Sequence, residues 1–155
     1  MRSVLFVCTA NICRSPMAMG LLRAKVAGGT EEWRVESAGI WAQRGLPPAF
    51  YTVEMLLKRG IDLSDYGSRA VTSEMIQDFY LILVMERNQR EALRSAFPLY
   101  ASKIFMLSEM IGLVENIPDP VGGDLEDYVA TANRLERILS NGLPKIFQLA
   151  LIPKA

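Results

Sequence analysis

Cys8 and Arg14 stand six positions apart, and Ser15 follows directly, so the segment Cys8-Thr9-Ala10-Asn11-Ile12-Cys13-Arg14-Ser15 reads C-x5-R-S. A short loop of this length feeding a helix can curl until successive backbone N–H groups point inward. That geometry makes an anion cradle, and the helix N-terminus adds positive potential. Arg14 can offer a planar two-pronged fork to two phosphate oxygens. Cys8 falls at the floor of such a cradle, where the same dipoles favour a thiolate. Ser15 can donate a hydroxyl to that thiolate, and Asn11 suits a left-handed turn that ties the loop down. Taken alone the spacing also fits a buried core thiol at a strand end and a serine that only caps a helix. The chain contains no histidine, so Ser-His-Asp and Cys-His mechanisms are excluded and the thiol must be activated by the loop itself. A leaving alkoxide or phenoxide then needs its proton from a carboxyl group. Asp119-Pro120 supplies a candidate, because proline biases the residue before it toward extended backbone that projects its side chain. Like charge from a thiolate and a phosphate dianion favours the protonated carboxyl, as a general acid requires. The plain alternative for Asp119-Pro120 is a loop turn.

The elements that must position these groups alternate. An apolar strand is predicted over 4–7, then a helix through 17–27 with Ser15 as N-cap and Pro16 as its first residue. A strand over 33–37, a helix over 49–59 closed by Gly60, and a short helix over 73–78 follow. A buried strand over 80–85, a helix over 86–97 ended by Pro98, and a strand over 103–107 come next. Asp124 caps a long last helix over 125–148, with a break or kink expected near Gly142 and Pro144. Strands separated by helices imply an α/β fold with a parallel sheet covered on both faces. In such sheets ligands bind beyond the carboxyl ends of the strands, which is where Cys8 falls.

The 155 residues carry 17 basic and 17 acidic side chains, without the basic footprint of a nucleic-acid partner or a polybasic membrane anchor. No apolar run approaches the roughly 18 residues of a membrane span, and the first residues read as a buried strand rather than a signal peptide. One domain and a cytoplasmic location are the expectation. Two cysteines without histidine cannot form an all-protein Cys/His zinc site, and no motif calls for a cofactor. Cys8 and Cys13 lie on one curled loop, close enough in sequence for Cys13 to capture an oxidised Cys8 as a disulfide; a small buried packing residue is the alternative for Cys13.

The stretch from Val4 through Cys8-Thr9-Ala10-Asn11-Ile12-Cys13-Arg14-Ser15-Pro16-Met17-Ala18 resembles the N-terminal motif of the low-molecular-weight protein tyrosine phosphatases. Ser37-Ala38-Gly39, Val84-Met85-Glu86, Asp119-Pro120 and the run Gly122 to Tyr128 are similar to later stretches of that family, so the resemblance covers essentially the whole chain, 1–155. It implies a flavodoxin-like, four-stranded parallel sheet flanked by helices on both faces. It implies hydrolysis of phosphotyrosine in a phosphorylated protein substrate through a phosphocysteine, without metal. Cys8 becomes the nucleophile, Arg14 the phosphate ligand, Ser15 the thiolate stabiliser, Asn11 a structural pin, and Asp119 the general acid and then base.

Four departures bear on specificity. Ala10 stands where many members have glycine. Val121-Gly122 replaces aromatic residues that often line the substrate slot, leaving Trp41 as a candidate wall by ring stacking, with a hydrophobic loop anchor as the alternative. Ile12 stands where an arginine-dephosphorylating branch carries threonine, and its apolar bulk favours an aryl phosphate. Tyr66-Gly67-Ser68-Arg69 lacks the family's frequent histidine, so any polar tie from that residue to the loop must have another source. A protein-arginine phosphatase of the same fold is the main alternative. An arsenate reductase would need cysteines beyond Cys13, a flavin module would need a hydroxyl-rich first loop, and a non-catalytic phosphate-binding module would not need Cys8 or Asp119. Oligomeric state is not encoded in any motif.

Overall fold

The structure, a computed structural model, describes residues 1–151. Four parallel strands, β1 (Arg2–Cys8), β2 (Trp33–Gly39), β3 (Leu81–Val84) and β4 (Ile104–Met106), form one sheet in the order β2-β1-β3-β4. Every residue of β1 is buried, and its side chains alternate between two cores. Val4, Phe6 and Cys8 join Leu81 and Leu83 on one face, while Leu5 and Val7 join Ile82 and Val84 on the other. A strand apolar on both faces needs a helix layer on each. α1 (Arg14–Val26) and α5 (Leu125–Leu149) cover the first face through Met17, Leu21, Leu22, Leu135, Leu139 and Ile146. α3 (Ser73–Asp78) and α4 (Arg87–Ala96) cover the second through Ile76 and Leu93. α2 (Phe50–Leu57) completes the first layer beside α1 and α5. Among the described residues no helix is long and apolar enough to cross a membrane.

The chain runs from β1 outward to β2 and then returns to β3 on β1's other side. The carboxyl end of β1 is therefore the point where strand order reverses, the position at which sheets of this kind bind ligands.

Three boundaries differ from expectation. α1 begins at Arg14, with Cys13 rather than Ser15 as N-cap and no side-chain cap; the Ser15 hydroxyl is engaged elsewhere, as shown below. Glu86 is not the first residue of α4 but its N-cap, closing a reciprocal box with Gln89. α5 runs unbroken through Gly142 and Pro144. Gly142 answers to packing: a Cβ there would lie 2.8 Å from the Met110 Cβ, so glycine lets a short 3₁₀ turn, Leu107–Ile111, lie against the helix. That turn and a second one at Pro98–Lys103 were not anticipated, since neither has a periodic apolar pattern.

Candidate active site

The loop between β1 and α1 holds the cysteine, and its own sequence shapes it. Asn11 is fully buried and adopts φ +60°, the left-handed region that only a few side chains tolerate. Its side-chain amide donates to Ser15 Oγ at 2.8 Å and to Ser37 Oγ at 2.9 Å, and its carbonyl oxygen accepts from the Arg69 amide at 3.0 Å. Because Asn11 donates to Ser15 Oγ, the one hydrogen of that hydroxyl is left for Cys8 Sγ, 3.0 Å away, or for the more distant Ala38 carbonyl at 3.4 Å. Gly39, at the end of β2, completes the support. A Cβ on it would fall 2.7 Å from the Thr9 carbonyl oxygen and 3.0 Å from the Asn11 Cβ, so the loop can approach β2 this closely only against glycine. Among the described residues the amides of 9–15 have no protein acceptor. A run of N–H groups left open around a nearly buried sulfur is an anion cradle.

Arg14 is 1% exposed. A buried guanidinium costs several kcal/mol unless it is paired and hydrogen-bonded, and three partners hold it. Nη1 donates to the Ile117 carbonyl at 2.7 Å and lies 3.1 Å from Glu86 Oε2; Nη2 lies 3.6 Å from Asp119 Oδ2. Its Nε is buried with no partner, leaving a donor for an incoming oxyanion. The same contacts bring the Asp119 loop to the cradle. Ile117 is anchored to the end of β3 by its amide donating to the Met85 carbonyl at 2.9 Å, and Asp119 Oδ1 accepts from the Val121 amide at 3.0 Å.

Gln89 was not singled out from the sequence, and Tyr66 was read there only as a residue without a tie to the loop. Gln89, buried, accepts the Met85 and Glu86 amides on Oε1 and donates to Thr9 Oγ1 at 3.0 Å and Glu86 Oε2 at 3.1 Å. It ties α4's first turn to the loop and orients the carboxylate that holds Arg14. The Glu-x-x-Gln spacing before α4 carried that signal. Tyr66 donates its hydroxyl to the Asn11 carbonyl at 2.7 Å, so the Ser37 hydroxyl, 3.1 Å away, donates to Tyr66. The expectation that a polar tie to the loop must have a source other than this residue is therefore corrected: Tyr66 itself makes it. Burial pushes the Tyr66 phenol above its ordinary range, so it remains a donor at neutral pH.

Cys13 is buried, and its Sγ lies 3.4 Å from the hydroxyl of Tyr128 on α5. Burial pushes its thiol up to about 11, against a lowering contribution from the Tyr128 hydrogen bond. Ile12 is half-buried against the first core, and its carbonyl accepts the Ala49 amide at 2.8 Å just before α2. There Phe50 and Tyr51 continue an aromatic series to Tyr128, with ring centroids 5.5 and 5.3 Å apart. Trp41 donates its amide to the Thr9 carbonyl at 2.9 Å, which places it beside the loop, and its indole is 81% exposed. An indole that open does not anchor the loop in a core. Val121 is 53% exposed, two residues beyond Asp119. The structure thus joins Cys8, Asn11 and Ser15 in one set of contacts and Arg14 with Asp119 in another, and it leaves Trp41 and Val121 exposed.

The model of a family described as low molecular weight phosphotyrosine protein phosphatase matches residues 3–148. A low molecular weight protein-tyrosine-phosphatase of Acinetobacter johnsonii is 36% identical over 124 residues, covering 79% of this chain and 82% of that protein. A protein-arginine-phosphatase of Bacillus subtilis is 33% identical over 137 residues, covering 88% and 91%. The crystal structure of a low molecular weight protein tyrosine phosphatase from T. tengcongensis superposes with a TM-score of 0.89 at 39% identity, covering 94% of this chain and 99% of the other.

Proposed function

The chain belongs to the low molecular weight phosphotyrosine protein phosphatase family, and from that premise we propose which of its residues perform the hydrolysis and on what substrate. It is a hydrolase of phosphoric monoesters. The substrate phosphate docks on the open amides of the Cys8 loop and on Arg14. The Cys8 thiolate, held by the Ser15 hydroxyl, attacks phosphorus from below. As the P–O bond breaks, Asp119 gives its proton to the leaving phenolate. The phosphate is then carried on Cys8 as a thiophosphate ester. Asp119, now a carboxylate, takes a proton from the attacking water, and inorganic phosphate and the thiolate are released. The observation that carries this reading is the joint arrangement on one loop: a serine hydroxyl 3.0 Å from the buried Cys8 sulfur, open amides, and an arginine with a free Nε. Phosphotyrosine in cytoplasmic proteins is the substrate class, and residues 1–155 form one phosphatase domain.

Ile12 at the cradle favours an aryl phosphate over phosphoarginine, because a guanidinium set against an alkyl side chain leaves donors unpaired. The experiment measures kcat/KM on matched peptides bearing phosphotyrosine or phosphoarginine, for the wild type, Cys8→Ser and Ile12→Thr. Phosphotyrosine is the better substrate, Cys8→Ser turns over neither while still binding inorganic phosphate, and Ile12→Thr moves the ratio toward phosphoarginine. A wild type that prefers phosphoarginine overturns the substrate assignment but not the mechanism. Substantial turnover by Cys8→Ser overturns the mechanism.

A further inference from the structure

The segment Ile117–Gly123 has two sides. One meets Arg14 through the Ile117 carbonyl and Asp119. The other borders a cavity of about 540 Å³ closed by Ala130, Thr131 and Arg134 of α5, a volume within the ~300–1,000 Å³ of sites that take small ligands. Asp119 lines it, so the residue that protonates the leaving group in the proposed reaction stands at its edge. Its apolar walls are Ile117, Pro118, Pro120, Val121 and Ala130.

Three charges on the walls are of unequal availability. Arg134 is paired with Glu115 at 3.1 Å, and Asp119 faces Arg14 at 3.6 Å. Asp127 has no cationic partner among the described residues; its Oδ2 accepts only the Asp124 amide at 3.1 Å. The groove therefore presents an apolar trough with one unbalanced negative charge. A lysine or arginine side chain matches both features, since its methylene stem lies along apolar surface while its head stays in water beside a carboxylate.

We propose that this groove receives a basic residue flanking the phosphorylated residue of the substrate, with its stem on the exposed Pro118 and Val121 and its head beside Asp127. The assignment rests on the Cys8 site being the phosphatase site, and the two are separable by experiment. Phosphotyrosine peptides carrying lysine, norleucine or glutamate at each of three positions on either side are compared by kcat/KM, with p-nitrophenyl phosphate measured in parallel on the same preparations. At one or two positions lysine is preferred over norleucine by about two- to fivefold, the size an exposed ion pair supports, and glutamate is the poorest. Asp127→Asn keeps an acceptor for the Asp124 amide and the helix start, and it removes the lysine preference. Ala130→Glu adds charge to the groove and enlarges that preference. If lysine is no better than norleucine anywhere, or its advantage survives Asp127→Asn unchanged, the groove assignment is wrong. Loss of both peptide and p-nitrophenyl phosphate turnover in the wild type would instead overturn the reading of the Cys8 site.

Discussion

Asp119 and Cys13 are the residues whose placement most changes what can be expected of them. Asp119 reaches the site through a guanidinium, 3.6 Å from Arg14 Nη2, and its own loop is fixed by the Ile117 carbonyl on Nη1. A proton donor matters in proportion to the basicity of the leaving group. Asp119→Ala should therefore lower kcat/KM, which reports the P–O cleavage step alone, by roughly 10²–10⁴-fold on a phosphotyrosine peptide, the usual worth of a positioned general acid, and lower it far less on p-nitrophenyl phosphate, whose phenolate leaves unaided. Equal losses on the two substrates would make Asp119 a structural residue. Cys13 is the second case. Peroxide converts the Cys8 thiolate to a sulfenic acid, and attack by the Cys13 sulfur then forms the disulfide and expels water. Only the Cys13 thiolate attacks, and its thiol is pushed up to about 11 by burial. The disulfide should form slowly at pH 7 and faster at each step toward pH 10. Mass spectrometry after a peroxide pulse checks this through the loss of two hydrogens, reversed by dithiol. A yield that falls with pH, or a Cys13→Ser variant that regains activity as fully as the wild type, defeats the role. These residues could be read from the sequence because their chemistry lies within one loop and one dipeptide. The partners of Glu86, Gln89 and Tyr66 could not, because the contacts to Arg14, Thr9 and Asn11 cross 72, 80 and 55 positions.

The elements show the same division. Strand and helix order was readable throughout, since each element carries its own apolar pattern and stop residues. The start of α1 was not. Ser15-Pro16 looks like a cap followed by a first turn, yet Ser15 is already inside the helix and its hydroxyl lies on the Cys8 sulfur. A serine can cap or can serve the nucleophile, and only the tertiary fold decides. The connection from α2 to α3 carries Tyr66-Gly67-Ser68-Arg69, from which no tie to the loop was expected, yet it delivers Tyr66 to the Asn11 carbonyl at the back of the cradle. Tyr66→Phe keeps the ring but leaves the Asn11 carbonyl without its donor, a loss of roughly 1–3 kcal/mol when the acceptor is buried. The left-handed Asn11 then loosens, and with it the Asn11–Ser15–Cys8 chain. The variant should melt lower, and Cys8 should be alkylated by iodoacetamide more slowly at neutral pH. Reduced stability with unchanged alkylation would show that Tyr66 holds the fold and not the nucleophile.

At the scale of the molecule, the groups packed behind the cradle make folding sensitive to base. Cys13, Tyr66 and Tyr128 are all pushed above their ordinary ranges, in each case chiefly by burial. The neutral forms fit the fold; the anions do not. An unfolded chain ionises Cys13 near 9.0 and the tyrosines near 10.0, whereas the folded chain holds Cys13 neutral to about 11 and the tyrosines higher still. Above pH 9 the unfolded state therefore binds fewer protons than the folded one, and stability falls as pH rises. The contribution of Cys13 is complete below about pH 9 and is lost progressively from there through about pH 11, while that of the tyrosines begins to be lost near pH 10 and continues above pH 11. For Cys13 alone the difference between 9.0 and about 11 corresponds to roughly 2–3 kcal/mol. With no histidine in the chain, no imidazole contributes a slope between pH 6 and 8, so the alkaline descent should stand clear of any neutral one. Thermal unfolding from pH 7 to pH 10.5 in the presence of reductant measures it: Tm holds nearly level to pH 8.5 and then drops. Cys13→Ala and Tyr66→Phe each lower Tm at pH 7 but make the alkaline descent shallower, since each removes one group that resists ionisation. A Tm that is flat to pH 10.5, or a descent as steep in both variants as in the wild type, would locate the base sensitivity elsewhere in the fold.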